Sequence, residues 1–564
     1  RAIYRIMKCT ATISKSMVQR VFLPLLLLAT SRVTASATPL RAMRSDDQMA
    51  ALDYVLNMTV TSAFEAFNTS LLDIESMPAV QSVRQTISSN QSSSNGLHTQ
   101  DELAFLLNGM LHELYQDAHF RVEVNEEVAS TEYCHLDLCL AWLQDGNAEP
   151  AGLVNTCQTD YAEVGDEIIE LGGILPRDIF ARLESTIPHE NIYFLQGLPS
   201  SWLVREDFLS LFEVLPLLGY SNETFVTMTV SRDGAVLPPV MVPLTQDNER
   251  STSSTPKDSF VTYELMENSS VALFTLNECI FNETFTTVLT EFWSKVHEEG
   301  VDAVVLDLRN NRGGDATVVP AFLNHLDVPF ETVFSIEQRQ SEAFCQEAQF
   351  SMLCDPAFLA QFGIDASMER YNVSSPIIGA LLGAQAGEPP VVKFSGDLFV
   401  LTSGTTFSSA NLFAMTIQDN QLGTVVGTPT GSSLTFHGNL VPSSIPHTNL
   451  TLFLTTSFTK RETIPGAPET VLAVIPDHLV VTTPRHLAQG IDPQLAWVNF
   501  LVGPSSQASS GSVATSILVE DQTLSPTIAP ISGQAGTSPS LLSAVFPWVT
   551  AILVHQFVTS SMLY

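Results

Sequence analysis

Positive charge is scarce in this chain. Its 564 residues hold 25 Lys plus Arg against 60 Asp plus Glu, a formal net charge of −35. Nucleic-acid binding draws on clustered Lys and Arg, so that partner class is not expected. Adhesion to anionic lipid is disfavoured for the same reason. Solubility outside the cell is the simplest use of such an acidic surface. Cysteine is sparse too, seven in all. There is no C-x-x-C pair and no His cluster, so neither a metal site nor a cofactor is expected. Cys9 falls in the leader. Cys134, Cys139, Cys157, Cys279, Cys345 and Cys354 remain, an even set that allows three disulfides in an oxidising compartment. Cys345 with Cys354 is the first expected pair, because both flank one loop. Internal repeats are absent, and the length suits two or three cored domains.

The ends read as processing and anchoring segments. Met17-Val18-Gln19-Arg20 is a short basic stretch, Val21–Ala29 is apolar, and Ala35-Ser36-Ala37 is a small-x-small site, so residues 17–37 read as a signal peptide. Residues 503–540 are rich in Ser, Thr, Pro and Gly and read as a stalk. Residues 541–564 form an apolar tail, in which Leu541–Val558 is mostly apolar and residues 559–564 add no Lys or Arg. A spanning helix usually has basic residues on its cytoplasmic side, so the expectation is a GPI-anchor signal, with a membrane helix as alternative. Eight Asn-x-Ser/Thr sequons agree with secretion: Asn57, Asn68, Asn90, Asn222, Asn268, Asn282, Asn372 and Asn449.

The chemistry lies in two segments. Val301–Asp315, VDAVVLDLRNNRGGD, reads as a buried strand ending in a glycine turn. Gly313-Gly314 lets backbone N–H groups approach a ligand closely and can form an oxyanion hole. An ordinary strand-to-helix turn is the bland alternative. In Gly396–Gly427, the apolar strand Leu398–Leu401 is broken by Ser403-Gly404-Thr405-Thr406, and Ser408 opens a stretch of near-helical spacing. Ser408 could be an N-cap. It could also be a nucleophile at a helix N-terminus, and the Gly-Gly turn favours that reading.

Together these segments resemble the tail-specific (C-terminal processing) protease family of serine peptidases. The resemblance rests on Asp307-Leu308-Arg309-Asn310-Asn311-Arg312-Gly313-Gly314, then Ser408, Gln418-Asp419-Asn420 and Val425-Val426-Gly427. Strand Val271–Leu276, helix Thr284–His297 and the closing Ile475–Val480 stretch fit the same pattern. It implies an α/β fold: a ClpP/crotonase-like βαβ superhelix over 260–502, preceded by an N-terminal helical domain (45–125) and a PDZ-like β-rich domain (130–250). The latter is suggested by Val164–Gly173, resembling a GDEI strand-turn, and by a closing hairpin from Val226–Ser231 to Val240-Met241-Val242, with Ile174–Ser221 inserted. Residues 328–390 are a second insertion, either a lid or a strand excursion. Protein or peptide substrates are implied.

One departure matters. Bacterial members pair the Ser with a Lys about 25 residues on, where this chain has Gly431-Ser432-Ser433-Leu434; only Lys460 follows Ser408. A neutral Ser hydroxyl needs a base. A second branch of the family uses Ser, His and Glu. By resemblance to it, His119, in Asp117-Ala118-His119, is the expected general base, with a side-chain pKa suited to neutral pH. Glu469 is the expected orienting acid, with Glu462 behind it. The oxyanion would be held at Gly313 or Gly314 and at Ser409. The implied activity is a secreted or cell-surface serine endopeptidase acting through an acyl-enzyme on Ser408. The competing readings are an inactive binding protein on the same fold, and Ser409 as nucleophile.

Overall fold

The computed structural model describes residues 44–63, 73–89, 100–125, 134–144, 146, 152–205, 209, 225–246, 259–266, 270–348, 350–462 and 472–503. The chain divides into two compact units. One comprises Arg1–Asp258, Asn439–Thr456 and Thr483–Gly490; the other comprises Ser259–Gly438, Ser457–Thr482 and Ile491–Tyr564.

The second unit is organised by a six-stranded sheet: β1 (Val261–Leu265), β2 (Val271–Leu276), β3 (Ala303–Asp307), β4 (Asp397–Thr402), β5 (Thr424–Gly427) and β6 (His478–Leu479). Their order is sequential, β6-β5-β4-β3-β2-β1. Strands β2 to β6 are mutually parallel, and β1 joins β2 antiparallel. Each parallel strand lies beside its predecessor, so the chain advances by βαβ steps, as the expected superhelix requires. The sequence shows why these strands are central. Ala303–Leu306 is a continuous apolar run and is fully buried, as parallel strands covered on both faces must be.

The helix between β2 and β3, Glu283–Glu299, is bounded by local signals. Asn282 caps it by accepting the Phe285 N–H at 3.0 Å, and Gly300 ends it at φ 65°. It buries Phe285, Leu289, Phe292, Trp293 and Val296. Phe274 and Phe322 pack into the same core, with ring centroids 5.4 Å apart. Residues 328–390 prove to be a strand excursion. Phe334–Arg339 pairs antiparallel with Arg370–Val373 and with residues 457–461. The expected Cys345–Cys354 disulfide closes a loop within it.

In the first unit, helices Ser45–Ser62, Pro78–Ser89 and Gln100–Leu114 precede an antiparallel sheet. Its strand order is Cys134–Leu136, Val240–Gln246, Phe225–Arg232, Glu167–Leu171, Gly152–Asn155, Leu140–Leu143. The GDEI segment supplies Glu167–Leu171, and Asp166 anchors it through two bonds from Arg232, each 2.8 Å. The expected hairpin forms: Asp233 and Gly234 turn the chain, and Val226 lies opposite Val242. A second disulfide joins Cys139 to Cys157. Cys279, counted above among six cysteines available for pairing, is instead a buried free thiol. No described helix is long and apolar enough to cross a membrane. The leader, residues 504–540 of the stalk and the tail lie outside the described residues, as do sequons Asn68, Asn90, Asn222 and Asn268.

Candidate active site

In the second unit, β4 ends at Thr402 and the following loop is tied to the turn after β3. Ser403 Oγ donates to the Arg309 carbonyl (2.6 Å), Thr406 Oγ1 to the Leu308 carbonyl (2.9 Å), and the Phe407 N–H to the Asn311 carbonyl (3.0 Å). Ser408 follows at φ 53°, ψ −124°. A residue with a Cβ avoids this region, and holding it there costs about 1–3 kcal/mol. The surroundings enforce it. The Ser408 N–H donates to Ser432 Oγ at 2.8 Å, and the Ser408 carbonyl accepts from the Leu412 N–H at 3.0 Å.

Ser408 occupies the N-cap position of helix Ser409–Asp419, yet its side chain makes no capping bond. The hydroxyl is therefore not spent on the helix, which disposes of the capping reading. Ser409 is the opposite case. Its buried hydroxyl donates to the Gly314 carbonyl at 2.7 Å, so it is committed to structure.

Gly313 and Gly314 run beside this loop at φ 100° and 130°. A Cβ on Gly313 would stand 2.6 Å from Ser408 Cβ and 2.9 Å from the Ser409 nitrogen. The Gly313 N–H is taken by Asn311 Oδ1 at 2.8 Å. The N–H groups of Gly314 and Ser409 have no acceptor among the described residues, and Gly314 is exposed. Of the three expected oxyanion residues, Gly314 and Ser409 thus keep donors available. Asn311 is fully buried; its Nδ2 donates to the Leu276 carbonyl at 2.8 Å, so one side chain links the end of β2 to the glycine turn. Cys279 lies under the same turn, with its N–H on the Gly313 carbonyl at 2.9 Å.

The segment where bacterial relatives carry Lys holds Ser432, which braces the Ser408 backbone. Lys460 is paired with Glu337 at 2.9 Å and half exposed, so it is occupied at the surface. Arg309 is clamped by Asp307 (2.6 Å) and Asp492 (2.8 Å), which fixes the start of the turn.

In the first unit, His119 lies between helix Gln100–Leu114 and strand Arg121–Val124. Asn108 fastens the two elements through Val122, accepting its N–H at 2.8 Å and donating to its carbonyl at 2.9 Å. His119 is buried, and its flanking Ala118 and Phe120 are core residues. Its Nδ1 is 2.9 Å from Glu190 Oε1 and 3.6 Å from Asp117 Oδ1. Asp117 also accepts the His119 N–H (2.8 Å) and the Thr455 hydroxyl (2.8 Å). Burial alone would lower the imidazole pKa, but the hydrogen bonds to Asp117 and Glu190 outweigh it and raise it to about 9. Asp117, His119 and Glu190 are also the one group of metal-ligating side chains that converges among the described residues. Their oxygens already serve hydrogen bonds, which suits a base held by acids.

Glu469 lies outside the described residues. Glu462 is exposed. Glu190 escaped the sequence reading, because nothing in Pro188-His189-Glu190-Asn191 marks a residue 71 positions from His119 as its neighbour.

A parallel βαβ sheet carrying a strained Ser at a strand-to-helix turn, beside glycine-turn donors, is the arrangement of a serine hydrolase. The family comparison narrows this: residues 271–456 match peptidase family S41. That segment contains both the glycine turn and Ser408, so the match falls on the residues that the geometry brings together. Among solved structures it is similar to mature CPAF complexed with lactacystin, at 17% identity and a TM-score of 0.53 over 79% of this chain and 95% of that one. It is also similar to mature CPAF alone, at 16% identity and a TM-score of 0.52 over 79% and 94%. These likenesses concern the fold. No curated protein sequence matches the chain.

Proposed function

We propose that this protein is an endopeptidase that hydrolyses peptide bonds through an acyl-enzyme on Ser408. The observation that carries the reading is Ser408 itself: a non-glycine residue at φ 53° whose hydroxyl makes no cap bond. Strain of this kind persists where function needs it. Ser408 Oγ attacks the substrate carbonyl, and its proton goes to His119 as general base. The carbonyl oxygen becomes an oxyanion, received by the N–H groups of Gly314 and Ser409. Collapse of the tetrahedral intermediate breaks the C–N bond, and the protonated imidazole returns the proton to the leaving amine. Water then attacks the acyl-enzyme by the same route, giving the acid product and free Ser408.

The leader, the sequons and the apolar tail support a secreted protein held at the cell surface by a C-terminal anchor, most simply a GPI anchor. Asn57 and Asn372 are exposed, which agrees with glycosylation there.

The test is covalent labelling of the purified chain with a fluorophosphonate, followed by peptide mapping. Labelling on Ser408, lost in Ser408→Ala and strongly reduced in His119→Ala, is the expected result. A folded wild-type protein that takes no label at Ser408 would replace the enzyme by a binding protein that keeps the peptidase fold.

A further inference from the structure

We propose that Glu190, supplied by the insertion between two strands of the antiparallel sheet, is the acid that orients His119. The inference rests on His119 being the base, as proposed above, and changes the acid from the one expected after Ser408. Its ground is geometry. Glu190 Oε1 is 2.9 Å from His119 Nδ1, and both side chains are at least 95% buried. A carboxylate accepts only, so this contact places the proton on Nδ1. Once the imidazolium loses its other proton, the neutral ring presents an unprotonated Nε2, the form that can take a proton from a serine hydroxyl. Asp117 has a different task. Its Oδ1 holds the His119 backbone N–H at 2.8 Å and its Oδ2 takes the Thr455 hydroxyl at 2.8 Å, which fixes the loop on which the ring stands.

Local structure explains how Glu190 is held. Helix Pro176–Thr186 ends at Ile187, whose carbonyl is 2.7 Å from His189 Nδ1. Asn191 caps helix Ile192–Gln196 by accepting the Phe194 N–H at 3.1 Å. Glu190 sits between these two pinned residues. His189 stacks on His112 of helix Gln100–Leu114 at 4.5 Å, which fastens the insertion to the helix preceding His119. The charged groups around the imidazole are Asp117 and Glu190, with the Arg121 guanidinium on the His119 carbonyl at 3.2 Å.

Glutamine at position 190 is the discriminating change. It keeps shape and volume but can offer an amide N–H to Nδ1, which favours the wrong tautomer. The experiment measures the second-order rate of fluorophosphonate labelling against pH for the full chain and for Glu190→Gln, Glu190→Asp, Asp117→Asn and Glu469→Gln, each checked for wild-type circular dichroism. The rate should rise with pH as His119 loses its proton, with a midpoint above 6.5 and toward about 9 in the wild type. Glu190→Gln should lower the plateau at least about tenfold, up to the about 10⁴-fold seen when a triad acid becomes an amide. It should also move the midpoint down, because a carboxylate that favours the imidazolium is gone. Glu190→Asp should recover part of both, since an acceptor remains. Asp117→Asn should lose less, because Asn still accepts the backbone N–H. The loss in Glu190→Gln should exceed that in Glu469→Gln by about tenfold or more. A Glu190→Gln profile with wild-type plateau and midpoint, while Glu469→Gln collapses, overturns the assignment. Wild-type labelling in His119→Ala would overturn it together with the reading it rests on, which keeps the two failures apart.

Discussion

At Ser408 the backbone spends stability on position. A φ of 53° with ψ −124° is open to glycine and strained for serine. The N–H bond to Ser432 and the packing of Gly313 against Ser408 hold it there. Ser408→Gly should therefore be more stable than Ser408→Ala by about 1 kcal/mol, and neither should take a fluorophosphonate label. Urea unfolding of the two variants checks this; equal midpoints would mean that Ser408 is not strained. Nothing in the sequence announces such a φ. The Phe407-Ser408-Ser409 context reads equally well as a capping serine, and only the missing cap bond separates the readings.

Among the elements, the glycine turn and helix Ser409–Asp419 work as a pair. The Gly314 N–H has no acceptor among the described residues, while its carbonyl accepts from Ser409 Oγ. Gly313 gives its N–H to Asn311, and its bare Cα is what lets Ser408 approach. Gly313→Ala should thus lower kcat about 10²–10³-fold, comparable to loss of an oxyanion donor, although its own N–H is not one. A Cβ would meet Ser408 Cβ at 2.6 Å and the Phe407 carbonyl at 2.9 Å, with no flexible side-chain end to give way. Steady-state kinetics with a peptide substrate would show it as a fall in kcat exceeding any change in KM; wild-type kcat would remove the Gly313 contact from the argument. The elements themselves were largely legible. The helix expected over Thr284–His297 spans Glu283–Glu299, because Asn282 and Gly300 are local signals at its ends. The strand inside VDAVVLDLR was legible from its unbroken apolar run.

For the whole molecule, the sequential parallel sheet brings the glycine turn after β3 and the serine loop after β4 to the same end of adjacent strands. Asp307 pairs with Leu401 in register, so the two loops emerge side by side. That follows from parallel pairing and needs no further device. Localisation belongs to this scale as well. Expression in a glycosylating host should give a product whose mass falls on treatment with peptide-N-glycosidase. Treatment with a phosphatidylinositol-specific phospholipase should release it from intact cells. A protein of unglycosylated mass in the cytosol would reject both the leader and the anchor.

The sequence by itself determined the peptidase motifs, the order of strands and helices around them, the Cys345–Cys354 bridge and the candidates Ser408 and His119. Those features are written in spacings of a few residues, where hydrophobic period, glycine and capping residues act locally. Only the tertiary structure decided that Ser409 is a structural hydroxyl, that Ser432 stands where a lysine was sought, that Cys279 is unpaired, and that Glu190 faces His119. Each is a contact between residues from 24 to 95 positions apart, or a thiol lodged beneath a turn formed elsewhere in the chain. Such pairings are set by how packed elements bring side chains together, and no local pattern encodes them.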